Sequence, residues 1–401
     1  MYRLTSLNSL FTAHNLAAWL VYNLPMFTHR NFIPGWALVI SLFLLTACQA
    51  ATTQTPNVPG FFYLLSPLGQ NPAILVADHP GDAARLSIPL NPPADCTLFA
   101  LRPAPHGRWI AVEWECSFGP AVELFDTANG NSHFALSDPT IDSRFLAWQP
   151  DGSAIYLKIG TLSVPQTLRV DVETSKALEL PVSPFAYDLT ASPDGSRVLY
   201  SLTKGIGFGS ETWLAGPDGQ NPSQLLVDAG NITALANYSP DGSQVAYIRF
   251  PDNQQATPPG ELWVMDAQGF KPRKLAEADA GRGFAPVWSP DGSKIAFIGR
   301  ASPDKPDALT LNIYDLKTSN LTTVYPAAGT APGTQPAWAP DGSAIAFSDT
   351  PQPTGQVPTG QVPTGHMNQP GSDTINVWFY EISSGHVSKL VSGACFAGWI
   401  R

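Results

Sequence analysis

The feature that most constrains this chain is a short phrase that it repeats. Ser289-Pro290-Asp291-Gly292-Ser293-Lys294-Ile295-Ala296-Phe297 is the clearest copy, and related copies run from Ser192, Ser239 and Ala339. A shortened copy begins at Gln149, and a diverged one, Ala104-Pro105-His106-Gly107, precedes them all. The glycines of the six copies stand at 107, 152, 195, 242, 292 and 342, spacings of 45, 43, 47, 50 and 50 residues. Each copy is a hairpin written in sequence. Proline fixes one turn dihedral, aspartate bonds its own backbone, and glycine supplies a positive φ without a steric clash. The β-branched and aromatic run that follows prefers a strand. A near-constant period of this length, holding several short strands, predicts propeller blades. One blade cannot bury both of its faces, so the copies must pack on one another.

Composition agrees where it bears on this. Only 13% of the 401 residues are charged, while 39 are Pro and 33 are Gly. That suits many short strands joined by turns and excludes long solvated helices. The formal charge of -10, with no basic cluster, makes nucleic acid a poor partner.

Ahead of the repeats, an apolar run from about Trp36 to Ala47 follows His29 and Arg30 and ends at Cys48. Basic start, short apolar core and small residues describe an export signal, and the core is shorter than the roughly 20 residues of a membrane span. Leu45-Thr46-Ala47-Cys48 resembles the lipobox of bacterial lipoproteins. The resemblance implies cleavage before Cys48 and lipidation of its sulfur; an uncleaved signal anchor with a chance cysteine is the alternative. Met26 is the expected initiator, because about 25 residues otherwise stand in front of the signal. The division is therefore a signal region at 1–47, a flexible tether at 48–59 that is too small and polar to order itself, and a β-domain at 60–401.

From Gly60 on, every unit follows one plan: a strand into the turn, a strand out, a third rich in large apolar residues, and a fourth. Ser-Pro-Asp-Gly-Ser-x-Ile-Ala-Phe at 289–297 and Leu262-Trp263-Val264-Met265-Asp266-Ala267 resemble the TolB-type, WD40-like (PD40) β-propeller repeat. The resemblance runs from Gly60 to the end. It implies four-stranded antiparallel blades and a binding scaffold at the cell surface or in the periplasm. Some propellers of this family are fused to serine peptidases. Here no Gly-x-Ser-x-Gly nucleophile elbow occurs, and too few residues follow the last blade for a hydrolase domain. No catalytic residue is expected, and no cofactor. No metal site is expected either: His14, His29, His79, His106, His133, His366 and His386 are scattered, and a turn aspartate caps its own backbone.

Three further readings come from the residues. Trp148, Tyr238, Trp288 and Trp338 each stand three residues before a turn aspartate, where they either pack blade on blade or line a channel. The tandem Gln-Val-Pro-Thr-Gly of 353–365, within a 351–371 loop, is either a partner-binding arm or a tolerated insertion. In a hairpin centred on His106, strand partners sum to about 212, which sets Cys96 opposite Cys116 as an expected disulfide and leaves Cys395 free.

The blade count follows from leftovers. Six turns give six complete units. Phe61 to Ile88 reads as three strands lacking a first, and Cys395 to Arg401 as a first strand lacking the rest. The expected fold is an all-β, seven-bladed propeller whose last blade is closed by N- and C-terminal strands; six blades with a loose N-terminal segment is the alternative. The expected function is a monomeric, lipid-anchored binding scaffold on the extracytoplasmic face of the cell membrane or outer membrane. Its partner is a protein, a peptide or a cell-envelope glycan. The alternative is an accessory propeller that presents substrate to a separate hydrolase or peptidase.

Overall fold

The structure, a computed structural model, describes residues 60–65, 73–160, 165–253, 259–280, 284–302, 308–325, 330–332, 335–351, 376–392 and 394–400. Met26, the Cys48 lipidation site, the 48–59 tether and the Gln-Val-Pro-Thr-Gly tract lie outside the described residues. What is described is entirely β, and each sheet is antiparallel.

The fourth blade shows the plan. Asn231–Tyr238 enters the turn, Gln244–Pro251 leaves it, and Pro259–Asp266 and Arg273–Asp279 complete the sheet in that spatial order. The first, second, third and fifth blades repeat it, with first strands Cys96–Pro103, Ser143–Trp148, Ala186–Ala191 and Val287–Trp288. In the sixth, the first strand is in two pieces, Thr330–Pro332 and Ala337–Trp338, both paired to Ala344–Pro351. These six blades are contiguous in sequence.

The seventh sheet is composite. Ala394–Ile400 pairs with Gly60–Leu65, which pairs with Ala73–Ala77 and then Leu86–Pro89. Gly60 faces Ile400 and Leu65 faces Ala394, so the C-terminal strand occupies the place of a first strand. The N-terminal segment is thus the body of a blade. Pairing the chain ends removes two open sheet edges.

The core explains why the strands read as they do. The second and third strands are covered on both faces by neighbouring blades, so they are near-continuous apolar runs rather than alternating ones. In Lys294–Arg300 the five central residues are all buried, whereas the outermost Ala177–Glu179 is exposed throughout. Seven apolar clusters form the seams among the described residues. Ile74, Val76 and Ile88 of the composite blade pack on Leu98, Ile110 and Trp114 of the first. Leu124 meets Ile155, Tyr156 meets Val198, Leu199 meets Tyr238, Val264 meets Trp288, and Leu311 meets Trp338. Ala346 and Val377 of the sixth blade then meet Ala394 of the composite blade, which closes the circuit.

Candidate binding surfaces at the two ends of the ring

Alternating strand direction gives the ring two ends. The Pro-Asp-Gly turns and the links between third and fourth strands form one, here the turn end. The second-to-third loops and the connections between blades form the other, the loop end.

At the turn end the sequence motif becomes a closed hydrogen-bond unit. Ser289 Oγ donates to Asp291 Oδ1 at 2.6 Å, the Ser293 N–H at 3.0 Å, and Ser293 Oγ at 2.9 Å. The Lys294 N–H in turn donates to Ser289 Oγ at 2.9 Å. The same unit recurs around Asp241 and Asp194. The serine hydroxyl two residues back is the chief cause that holds the Asp194 and Asp291 carboxyls down at about 2. Gln149 replaces that serine in the second blade; its amide donates to the Gly195 carbonyl at 3.2 Å and accepts from the Tyr156 hydroxyl at 2.6 Å. Neighbouring turns also touch. Gly242 has φ 71°, and a Cβ built on it would lie 3.5 Å from Pro193 of the preceding turn.

The four inner aromatics lie in the seams. The indole N–H groups of Trp148, Trp288 and Trp338 donate to the carbonyls of Arg102, Asn237 and Val287, each at 3.0 Å and each in the preceding blade. Tyr238 is buried, and that burial pushes its hydroxyl up to about 12. These side chains hold blades together, and Tyr238 and Trp338 also border clefts at the turn end.

Two clefts open between adjacent turns. One of about 540 Å³ lies between the third and fourth blades, lined by Ser192, Asp194, Arg197, Tyr238, Asp241 and Gln268. Its counterpart of about 370 Å³ lies between the fifth and sixth, beside Asp291, Lys294, Trp338 and Asp341. Their carboxylates are engaged by the turns and held below the usual range. These four aspartates are thereby held away from the range in which a general base works near neutral pH. Among the described residues no group of three or more His, Cys, Asp and Glu could hold a metal ion.

Charge buried in the seams is structural. Arg300 and Asp279 pair at 2.8 Å with side chains 6% and 1% exposed, binding the fifth blade to the fourth. Asp188, on the first strand of the third blade, accepts from the Ala236 N–H of the fourth at 3.1 Å, and burial raises its pKa.

The loop end differs. Phe118, Ile141, Phe185, Ile206 and Phe208 lie there, 41%, 38%, 63%, 68% and 72% exposed, all on the first three blades. The hairpin carrying Ile206 and Phe208 is tied at its base: Thr203 Oγ1 donates to the Gly209 carbonyl at 2.8 Å, and the Gly209 N–H donates to Asp252 Oδ2 at 2.7 Å. Beside it, Lys158 Nζ donates to the Pro184 carbonyl at 2.6 Å, next to Phe185. Sequence reasoning missed these residues. The available signal was Gly205-Ile206-Gly207-Phe208-Gly209, an apolar pair set among glycines that no strand could bury.

Of the site residues expected from sequence, Cys96 and Cys116 are opposite each other on the first two strands of the first blade, with Cα atoms 4.0 Å apart, and form a disulfide. Cys395 stands opposite Leu64 in the composite blade.

Comparison with known proteins agrees with this geometry. The family PD40, TolB beta propeller domain, matches residues 211–376. No curated protein sequence matches the chain. Among solved structures it resembles TolB from Acinetobacter baumannii at 15% identity, over 66% of this chain and 63% of that one, with a TM-score of 0.48. It resembles the oligogalacturonate lyase of Vibrio parahaemolyticus at 13% identity, over 84% and 85% of the two chains, with a TM-score of 0.51. It resembles a puromycin-hydrolyzing peptidase of Mycobacterium tuberculosis at 13% identity and a TM-score of 0.54, over 84% of this chain but only 52% of the peptidase. At such identities the likeness to the lyase and the peptidase is one of fold alone. The chain is a β-propeller, and its residues 211–376 match the PD40 family, TolB beta propeller domain.

Proposed function

We propose that this chain is an exported, lipid-anchored propeller that acts as a monomer by binding a partner protein, without chemistry of its own. One observation carries the binding reading: five large apolar side chains stay exposed at the loop end of the first three blades. Elsewhere the inner aromatics and the turn carboxylates are taken up by the fold. Apolar residues gathered on one surface and rimmed by polar ones mark interaction sites. Residues Leu45-Thr46-Ala47-Cys48 support the anchor.

Two experiments test this. Cys48→Ser should abolish palmitate labelling and membrane retention, since stable anchoring needs more than one membrane signal; persistent labelling contradicts the anchor. A pull-down from native membranes should compare the wild-type chain with a Phe185→Ser, Ile206→Ser, Phe208→Ser variant. A protein recovered with the first and lost from the second supports the binding surface. If that protein is a peptidase or glycosidase, the chain is an accessory of that enzyme; if it is an envelope structural protein, the chain is a scaffold. Equal recovery with both baits contradicts the reading.

A further inference from the structure

The ends of the propeller chain leave the ring on the same side. Gly60 faces Ile400, and Phe61 faces Ala77 on the other flank. The link that follows Ala77 joins a third strand to a fourth, so it lies at the turn end; the Arg85 N–H donates to the Val76 carbonyl at 2.8 Å and Arg85 pairs with Asp78 at 2.7 Å around it. Gly60 therefore enters at the turn end, on the second strand from the hub. The five exposed apolar residues sit at the opposite end. Among the described residues the turn end exposes two comparable side chains, Phe270 at 67% and Leu321 at 51%, set on the fourth and fifth blades.

We propose that the ring is held with its turn end toward the membrane and its loop end toward the aqueous phase, where an exported partner protein meets Phe185, Ile206 and Phe208. This rests on the lipid-anchor reading of Cys48. The reach of the chain argues for it. The twelve residues from Cys48 to Pro59 can span at most about 40 Å at ~3.3–3.6 Å per residue. Strands of six to eight residues give the ring a depth of about 20–27 Å. To turn the loop end to the bilayer, the tether must run from near the hub across the blade and down that depth. Such a path consumes nearly its full extension and costs its conformational entropy.

Electrostatics set the manner of approach. Asp194, Asp241, Asp291, Asp315 and Asp341 line the turn end, and hydrogen bonds keep each carboxyl below its ordinary range. An ionised rim of this kind is repelled by anionic headgroups within about a Debye length, roughly 8–10 Å. The turn end faces the bilayer and stands off from it.

Energy transfer tests the orientation. The lipidated protein, in a Cys395→Ser background, carries a donor at Gln268→Cys on the turn end or at Ser137→Cys on the loop end. It is placed on phosphatidylcholine vesicles that contain a headgroup acceptor. Transfer from position 268 should exceed transfer from 137 several-fold. Equal transfer, or stronger transfer from 137, on a protein shown by mass to be acylated overturns the orientation and leaves the anchor standing. A mature protein without lipid overturns both.

Discussion

Gly60 lies directly opposite Ile400, so the first described strand of the chain is completed by its last. The ring closes by backbone pairing between residues some 340 positions apart, and two sheet edges vanish in doing so. Deleting Phe396 to Arg401 strips most of the partner strand from Gly60–Leu65 and uncovers the seam at Ala346 and Val377. The melting temperature should drop by several degrees or more, and size-exclusion chromatography should show aggregates. A truncated protein as stable as the full chain and no more aggregated would rule out this closure.

The Cys96–Cys116 bond closes a loop with a sequence separation of 20. Loop-closure entropy for that length amounts to about 3 kcal/mol. The Cys96→Ser, Cys116→Ser variant should lose stability of that order in denaturant unfolding. Peptide mapping without reductant should recover the linked pair; two alkylatable thiols would refute the bond.

Trp338 is 2% exposed and donates to the Val287 carbonyl at 3.0 Å across the seam between the fifth and sixth blades. Trp338→Phe keeps most of the packing but leaves a buried acceptor unpaired, a loss of about 1–3 kcal/mol. Trp338→Ala should cost about 3–5 kcal/mol. If both variants unfold at the wild-type urea midpoint, the seam role is wrong.

The turn carboxylates set an acid limit. Hydrogen bonds from Ser192 and Ser289 lead the depression of Asp194 and Asp291 to about 2, below the ordinary 3.8. Between those values the unfolded chain binds more protons than the folded one, so stability rises with pH across that window. The contribution is complete above about pH 4 and is lost as pH falls toward 2. Asp291→Asn should be less stable than wild type at pH 6 and should lose less on acidification. An unchanged slope of stability against pH between 4 and 2 would contradict the assignment.

Much of this was legible in the sequence, for physical reasons. The turn needs Pro, Asp and Gly at fixed offsets, so six copies reveal both the fold and the period. The closing blade could be inferred because strands must pair, and the two leftover pieces complemented each other. Antiparallel register is arithmetic, which set Cys96 against Cys116. Strand limits were less clear. Pro286 to Ser289 reads as a strand, but only Val287–Trp288 forms one; Pro272 to Ala276 proves to be Arg273–Asp279. Pairing across the sheet decides these ends, and local propensity does not carry it. The exposed Phe185 and Phe208 were hidden because an aromatic residue between strands reads the same whether it is buried or not. The Arg300–Asp279 pair joins two blades through residues that no local pattern connects.

The most direct test of the account places a photoreactive phenylalanine analogue at Phe208 in the full chain in its native cells, with Gln268 as the control position. The account predicts one discrete protein adduct from position 208, none from 268, and loss of the adduct when Phe185→Ser and Ile206→Ser are added. An adduct from 268 with none from 208 would contradict it.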